Sequence, residues 1–299
     1  MPLKQCLVTG ARGMLGTDLC PVFATRYEVI ATDVEDLDIS DIAAVMAAFE
    51  QFRPVIVVHL AAATDVDHCE ENPDTAFRVN TIGTQNVALA CQRYDAQLVH
   101  LSTLAVFDGE KPTAYTEFDT PNPQSWYSKS KYQAELMVRQ HLHQHYIVRA
   151  GWMFGGGRED KKFVAKVLEL ARQRDRLTVV NDKFGSPIYT VDLARGILRL
   201  LETRVYGTYH MVNIGPPASR YEVAQHILDM AGIASCQLVP ASSAEFPLPA
   251  PRPRMEAGRN YQLELRGWDW MRPWPDALRE YIMETLLPGL SSSEVEARE

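Results

Sequence analysis

The sequence predicts an α/β fold in which helices cover both faces of a doubly wound parallel sheet. Strand and helix patterns alternate through the first half of the chain, and the predicted strands are nearly all apolar. Strands that are buried on both faces need such apolar runs, and parallel neighbours need a crossover helix between them. A glycine-rich turn between the first strand and the first helix, at residues 10–16, is the third observation.

The first predicted strand, Cys6–Val8, runs into a turn in which glycine recurs at every third position, as Gly10, Gly13 and Gly16. Glycines let the backbone turn tightly and approach a pyrophosphate, which then rests on free amides at a helix N-terminus. The spacing differs from the commoner Gly-x-Gly-x-x-Gly, so an ordinary strand-to-helix loop is the alternative. In this context, the turn predicts a dinucleotide site and a Rossmann-like sheet.

An acidic residue follows the second predicted strand, Glu28–Ala31. This residue, Asp33, is placed to accept hydrogen bonds from an adenosine ribose, and it would repel a 2′-phosphate, which favours NAD. Arg12, inside the glycine turn, would offset that repulsion and admit NADP. The sequence therefore predicts NADH or NADPH as cofactor without deciding between them.

Further elements continue the alternation between helix and strand. They are a helix to about Gln51 capped by Ser40 or Asp41, a strand at 55–60, a helix at 73–91, a strand at 98–101, a helix at 125–143 and a strand at 146–149. The second half is less regular. It contains helices at 163–173, 190–201 and 275–285, a strand at 208–213 and a long loop at 241–253.

The loss of regular alternation in the second half predicts two domains. We expect a dinucleotide-binding domain at 1–151, to which 177–212 return. A smaller, loop-rich substrate lobe is expected from 152–176 and 213–289, at the carboxyl ends of the strands where open α/β sheets bind ligands. The polar residues 290–299 are expected to form a flexible tail.

Composition narrows the class of protein. The chain has 299 residues, a net charge of −8 and a pI near 5.5, which argue against binding to nucleic acid or to an anionic membrane. It has no apolar run of about 20 residues and no signal-peptide pattern, so neither a membrane span nor secretion is expected. Its five scattered cysteines are typical of reduced thiols in the cytoplasm.

A tyrosine and a lysine lie four residues apart at a predicted helix start, on one face. They are Tyr127 and Lys131. A tyrosine with the ordinary pKa of about 10 is a poor acid or base partner at neutral pH, and a nearby ammonium and a cationic nicotinamide would lower that pKa. Thr103 ends the preceding strand at the same edge of the sheet. Its hydroxyl is placed to hold a carbonyl oxygen while Tyr127 donates the proton. Tyr-x-x-x-Lys is common by chance, and its position after Ser102-Thr103 and the glycine turn indicates catalysis.

Together these motifs resemble those of the extended short-chain dehydrogenase/reductases, and within that family those of the dTDP-4-dehydrorhamnose reductases. The resemblance runs from near residue 3 to about residue 285. The motifs that carry it are Gly10-x-x-Gly13-x-x-Gly16, Leu37-Asp38-Ile39, Ala61-Ala62-Ala63-Thr64-Asp65-Val66-Asp67, Asn72-Pro73, Val79-Asn80, Ser102-Thr103, Val106-Phe107-Asp108-Gly109, Tyr127-x-x-x-Lys131, Trp152 within 149–155, Gly185-Ser186-Pro187, Asp192-Leu193-Ala194 and Arg252-Pro253.

The resemblance implies hydride transfer from NAD(P)H to the 4-keto carbon of a nucleotide-linked deoxysugar. Tyr127 would protonate the new alkoxide, and Thr103 would hydrogen-bond the keto oxygen. Lys131 would anchor the nicotinamide ribose and depress the tyrosine pKa. A homodimer is also implied by the resemblance alone.

It further implies two sets of binding residues. The cofactor set is Gly10, Arg12, Gly13, Met14, Leu15, Gly16, Asp33, Asp38, Ile39, Ala61, Ala62, Ala63, Asn80, Ser102, Tyr127 and Lys131. The substrate set is Thr64, Val66, Thr103, Leu104, Trp152 and Arg252. Arg252 is expected at the diphosphate, because a guanidinium matches phosphate oxygens. No metal ion is expected, since the nearby histidines His141, His143 and His145 would face different sides of a helix.

Two positions depart from the family pattern. Leu104-Ala105 stands where the family has Asp-Tyr, which leaves the identity of the sugar open. Related dehydratases have Asp-Glu there, and an apolar pair cannot do that acid/base work, which argues against a dehydratase. After Arg252-Pro253, the family tends to have Asn-Ser, whereas this chain has Met255-Glu256.

Two other functions remain open. One is a nucleotide-sugar 4-epimerase, which would keep NAD bound and recycle it. The other is a non-catalytic regulatory subunit that keeps the fold and binds the cofactor or a partner protein. Retention of Thr103, Tyr127 and Lys131 together argues against the second.

Overall fold

The computed structural model describes residues 3–157, 160, 162–268 and 270–288. Six parallel strands form its central sheet: β1 (Lys4–Thr9), β2 (Tyr27–Thr32), β3 (Ile56–His59), β4 (Gln97–Thr103), β5 (His145–Ala150) and β10 (Gly207–Met211). Their order across the sheet is β10-β5-β4-β3-β1-β2, with every pair parallel. The predicted doubly wound α/β fold is confirmed.

Helices cover both faces of the central sheet, and further helices pack beyond it in a separate apolar cluster. They are α1 (Met14–Ala24), α2 (Ile42–Phe52), α3 (Val66–Glu71), α4 (Pro73–Ala76), α5 (Thr84–Tyr94), α6 (Trp126–His141), α7 (Phe163–Gln173), α8 (Thr190–Thr203), α9 (Arg220–Ala231), α10 (Tyr261–Glu264) and α11 (Trp274–Glu280). Alternate residues of β1 point into opposite layers, as the strand period requires. Cys6 and Val8 pack in the layer that contains α1 and α8, and Leu7 packs against α2 and α5.

Three small sheets lie beyond the central one. Their strands are β6 (Trp152–Phe154) with β9 (Pro187–Tyr189), β7 (Arg176–Val180) with β12 (Gln237–Ala241), and β8 (Phe184–Gly185) between β11 (Ala218–Ser219) and β13 (Met255–Glu256). The strands from β7 to β9 join these small sheets, whereas α8 and β10 pack with the central sheet. The two predicted domain boundaries stay a prediction, and the predicted tail at 290–299 lies outside the described residues.

Some elements differ from the sequence predictions. The helix predicted at 73–91 contains a π-helical segment, Phe77–Gly83, between α4 and α5. Helix α9 was not predicted, although its capping box, in which Ser219 and Glu222 exchange hydrogen bonds, is a recognisable start signal. No helix within the described part of the chain has the length and apolar character needed to cross a lipid bilayer.

Buried histidines lie on neighbouring strands of the central sheet. The rings of His59 and His100 stack with centroids 5.6 Å apart. His59 is hydrogen-bonded to Thr9 (2.7 Å) and Thr84 (3.0 Å), whereas neither ring nitrogen of His100 has a partner. Burial lowers the pKa of His59 and of His210 to about 3, and it holds the pKa of His100 well below its ordinary value.

We expect these histidines to make the fold sensitive to acid. Because their pKa values are lower in the folded protein than in the unfolded chain, the unfolded chain binds more protons between pH 6.5 and about 3. The free energy of unfolding therefore has its full value above pH 6.5 and decreases as the pH falls. His100→Leu should raise the free energy of unfolding at pH 7 by about 1 kcal/mol, since it removes an unpaired buried polar ring. It should also lower the slope of the free energy of unfolding against pH by up to ~1.4 kcal/mol per pH unit.

Urea unfolding at pH 7, 6 and 5 measures both effects. His59→Leu is the contrasting variant, because it leaves Thr9 and Thr84 without their partner and should lower stability at pH 7. An unchanged pH slope in His100→Leu would contradict the assignment.

Candidate active site

A cleft follows the carboxyl edge of the central sheet. Its volume, about 640 Å³, lies in the range of small-molecule sites. Most of the residues predicted from the sequence line it. These are Gly10, Gly13, Met14, Leu15, Gly16, Asp33, Asp38, Ile39, Ala61, Ala62, Ala63, Thr64, Val66, Ser102, Thr103, Tyr127, Lys131 and Trp152.

The glycine turn has little room for side chains. Gly10 has a φ of +68°, and a Cβ atom there would lie 2.7 Å from the backbone nitrogen of Ala61. A Cβ atom on Gly16 would lie 2.4 Å from the carbonyl oxygen of Ala11. Helix α1 begins after Gly13 without a side-chain cap, so its first amides remain available to a ligand. Free amides at the floor of a cleft fit the pyrophosphate of a dinucleotide.

Acidic groups surround the far end of the glycine turn. Asp33 accepts hydrogen bonds from the backbone amides of Arg12 (3.0 Å) and Val34 (2.9 Å). The Arg12 guanidinium is ion-paired with Glu35 and with Asp36 (3.0 Å for the latter). Its side chain points to solvent, 58% exposed, and does not line the cleft. In this conformation its charge is already neutralised by carboxylates.

Asn80 does not reach the cleft. Its side chain is completely buried in the protein alone, and the predicted direct contact with the cofactor stays a prediction. It accepts the Ala63 amide (2.8 Å) and donates to the Ala63 carbonyl (3.1 Å) and to Ser130 Oγ (2.9 Å). Asn80 therefore holds the small-residue loop against helix α6.

The three candidate catalytic residues meet in the cleft. Helix α6 presents Tyr127 and Lys131, and Thr103 ends strand β4. Lys131 Nζ donates to the Leu101 carbonyl at 2.6 Å, and the Thr103 hydroxyl accepts a hydrogen bond from the Ala105 amide at 3.1 Å. This arrangement places a hydroxyl, a phenol and an ammonium along one wall.

Burial dominates the ionisation of this trio. It raises the pKa of Tyr127, as does the negative charge of Glu256, against a smaller opposing effect of the Thr103 hydroxyl. The expected lowering of that pKa by Lys131 is not found, because desolvation prevails in the protein alone. Burial also lowers the pKa of Lys131 to about 8, although the carboxylate of Glu135 opposes the change.

A buried ion pair lies behind the trio. Glu135, on α6, accepts hydrogen bonds from Arg149 Nε (2.8 Å) and Nη2 (2.7 Å), from Ser102 Oγ (2.6 Å) and from Arg139 (3.0 Å). Glu135 and Arg149 are at most 2% exposed. The pair joins α6 to β4 and β5 and so fixes Ser102-Thr103 against the helix that carries Tyr127. The sequence analysis did not identify it.

A second cleft, of about 550 Å³, adjoins the first beyond Trp152. Trp152 Nε1 donates to Glu256 Oε2 at 3.1 Å, and the guanidinium carbon of Arg220 lies 3.6 Å from the Trp152 ring centroid. The indole also rests on Gly185, where a Cβ atom would lie 2.3 Å from the ring. Arg220 was missed by the sequence analysis because α9 was missed. Glu256 was noted there only as a departure from the family.

Two predicted substrate contacts look different in the structure. Leu104 is completely buried in an apolar cluster, whereas its neighbour Ala105 lines the second cleft. The predicted contact between Leu104 and the substrate stays a prediction. Arg252 does line that cleft, but its guanidinium donates to Asp67 Oδ2 and to the Ala250 carbonyl, both at 2.9 Å.

Among the described residues, no group of three or more His, Cys, Asp or Glu side chains is arranged to hold a metal ion.

We predict that Glu135→Gln lowers the free energy of unfolding by about 3–5 kcal/mol, because it leaves the Arg149 guanidinium buried without a counter-charge. Urea unfolding measures this loss. Glu169→Gln is the matched control, since it breaks an exposed pair with Lys166 and should cost less than ~1 kcal/mol. Equal losses of unfolding free energy in the two variants would show that the buried pair of Glu135 and Arg149 stabilises the protein no more than an exposed pair does.

Comparison with known proteins agrees with this geometry. The RmlD substrate-binding domain matches residues 4–287. SpsK, a spore coat polysaccharide biosynthesis protein of Bacillus subtilis, is 37% identical over 285 residues, which are 94% of this chain and 98% of that protein. A dTDP-4-dehydrorhamnose reductase of Mycobacterium tuberculosis is 36% identical over 281 residues, which are 92% of this chain and 91% of that protein.

Solved structures give the same result. A dTDP-4-dehydrorhamnose reductase from Clostridium acetobutylicum has a TM-score of 0.90 and 41% identity, over 93% of this chain and 98% of that one. The Bacillus anthracis enzyme in complex with NADP has a TM-score of 0.91 and 36% identity, over 95% and 100% of the two chains. The resemblance predicted from the sequence motifs is confirmed: the chain belongs to the RmlD substrate-binding-domain family.

Proposed function

We propose that the protein is an NAD(P)H-dependent reductase of the 4-keto group of a nucleotide-linked deoxysugar. The observation that carries the proposal is the convergence of Thr103, Tyr127 and Lys131 in the cleft that the glycine turn also lines. Relatives at 36% and 41% identity are named dTDP-4-dehydrorhamnose reductase, which supports a 4-keto sugar nucleotide as the substrate class.

The nicotinamide cofactor supplies the hydride when it is bound. Thr103 orients the keto oxygen of the sugar by a hydrogen bond from its hydroxyl. As the carbon is reduced, Tyr127 gives its phenolic proton to that oxygen, and the resulting phenolate recovers a proton from solvent. Lys131 would hold the nicotinamide ribose, and its ammonium, on the same helix as Tyr127, would stabilise the phenolate.

The ionisation of the protein alone suits the role of Tyr127 in reduction. Burial raises the pKa of Tyr127, so the phenol keeps its proton at neutral pH and is ready to act as an acid.

The principal test follows the absorbance of reduced nicotinamide with purified protein, NADH or NADPH, and a dTDP-4-keto-6-deoxy sugar. We expect loss of absorbance that requires the sugar nucleotide. Tyr127→Phe should lower turnover by ~10²–10⁴-fold, the usual contribution of a general acid, and should leave cofactor affinity unchanged. No turnover with NAD retained through purification would favour the epimerase. No turnover and no retained cofactor would favour a binding subunit.

Charge near Arg12 provides a prediction about cofactor choice. Because the Arg12 guanidinium is already ion-paired with Glu35 and Asp36, we expect NADH to be preferred over NADPH. The double variant Glu35→Gln/Asp36→Asn frees Arg12 for a 2′-phosphate and should raise the kcat/KM ratio of NADPH to NADH by about tenfold. Arg12→Ala in the same background should abolish the gain, and a gain that survives it would contradict the role of Arg12.

The pH dependence of turnover tests Lys131. Its ammonium is present below its pKa of about 8 and is lost above it, so kcat/KM should decline as the pH rises through about 8. Lys131→Arg keeps its charge to much higher pH. That variant should be slower, and its alkaline decline should move upward. An alkaline decline that stays at the same pH would assign the titration to another group.

A cytoplasmic location and a homodimeric state are part of the same proposal. All five cysteines are free, which supports a reducing compartment. The homodimer rests on the family resemblance alone, and sedimentation of the purified protein tests it.

A further inference from the structure

Two charged side chains flank Trp152 on the wall shared by the two clefts. Glu256 accepts the indole N–H at 3.1 Å, and Arg220 lies over the indole face at 3.6 Å. Both side chains line both clefts, together with Tyr127. The charged groups therefore face the space in which a sugar next to Tyr127 would lie.

Glu256 has hydrogen-bonding capacity to spare. Among the described residues, Trp152 is its one hydrogen-bond donor, and Arg220 makes no ion pair with it within 4.0 Å. A carboxylate has about four acceptor positions, and a ligand that covers them without offering a donor leaves them unpaired, which is unfavourable. The carboxylate therefore provides an unused acceptor inside the cleft.

The chemistry of Glu256 limits what it would hold. An ionised carboxylate only accepts hydrogen bonds, so its partner on the sugar must be a donor, either a hydroxyl or an ammonium group. The positive charges of Arg220 and Arg252 already act on Glu256. A third cation beside them would be repelled, which favours a neutral hydroxyl.

The position of Glu256 limits where that hydroxyl lies. Glu256 lines both clefts together with Tyr127, which delivers the proton to the oxygen on C4 in the proposed reaction. Of the two ring carbons next to C4, C5 carries the methyl group of a 6-deoxysugar, and C3 is the one that can carry a hydroxyl. The hydroxyl nearest to the reacting carbonyl is therefore the one on C3.

We propose that Glu256 is a specificity-determining residue that selects 4-keto sugars with a hydroxyl on C3 over sugars that are deoxygenated there. This inference rests on the proposed function. A 3-deoxy sugar would cover the carboxylate without offering it a donor, and sites with a buried polar group discriminate strongly against a ligand that leaves it unpaired. We expect the wild type to prefer the 3-hydroxy substrate by roughly 10–100-fold in kcat/KM.

Steady-state kinetics with a dTDP-4-keto-6-deoxy sugar and its 3-deoxy counterpart test the inference. Glu256→Ala should lose kcat/KM on the 3-hydroxy substrate alone, so that the preference falls to near one. Glu256→Gln keeps an acceptor oxygen in the same shape and should keep most of the preference. The control Glu110→Gln, on an exposed loop outside both clefts, should behave as wild type.

The outcomes separate this inference from the proposed function. Turnover of the 3-hydroxy substrate by the wild type supports the reductase, whatever the preference. A wild-type preference near one, or an equal loss on both substrates in Glu256→Ala, would overturn the role of Glu256. If Glu256→Ala does not fold, Glu256→Gln decides. A preference for the 3-hydroxy substrate that is at least about half of the wild-type preference supports the role of Glu256, and a preference near one overturns it. If the wild type turns over neither substrate, calorimetric Kd values decide: tighter binding of the 3-hydroxy compound supports the inference, and equal or absent binding overturns it.

Discussion

The buried ion pair between Glu135 and Arg149 is the interaction on which the candidate site most depends. Both charges are removed from water, a cost that is offset only when the hydrogen bonds to each group are well placed. The Glu135 carboxylate satisfies this by accepting from two strands and from its own helix, Ser102 included. Helix α6 cannot slide along the sheet without separating Glu135 from Arg149. The ion pair therefore fixes the spacing between Thr103 and Tyr127.

Removal from water also determines where protons reside. The same burial that makes the ion pair costly to break keeps the Tyr127 phenol protonated and brings the pKa of Lys131 down to about 8. It also keeps His59 and His100 neutral inside the sheet. Sensitivity to acid and readiness for proton transfer thus have one physical origin, the exclusion of water from the layer behind the strand ends.

Local patterns in the sequence predicted the features that depend on local geometry. The glycine turn and the Tyr127–Lys131 spacing are set by a few consecutive residues, so both could be predicted. Asn80 and Leu104 were assigned to the site because they belong to its motifs, but a motif does not tell which way each side chain points. Glu256 reaches the site through a two-residue strand, which is too short to show any periodicity, whereas Arg220 begins α9, whose capping box was overlooked.

The three-stranded sheet β11-β8-β13 has a consequence for how such an enzyme can diversify. Arg220 directly follows β11 and Glu256 ends β13, and both strands are paired with the central β8. Both charges therefore belong to one small unit that shares no strand with the sheet beneath the cofactor cleft. Substitutions in this unit can change which sugar the wall recognises without moving the helix that carries Tyr127 or the glycine turn. Selectivity for the sugar can therefore vary while the backbone that holds the proton donor and the dinucleotide stays in place.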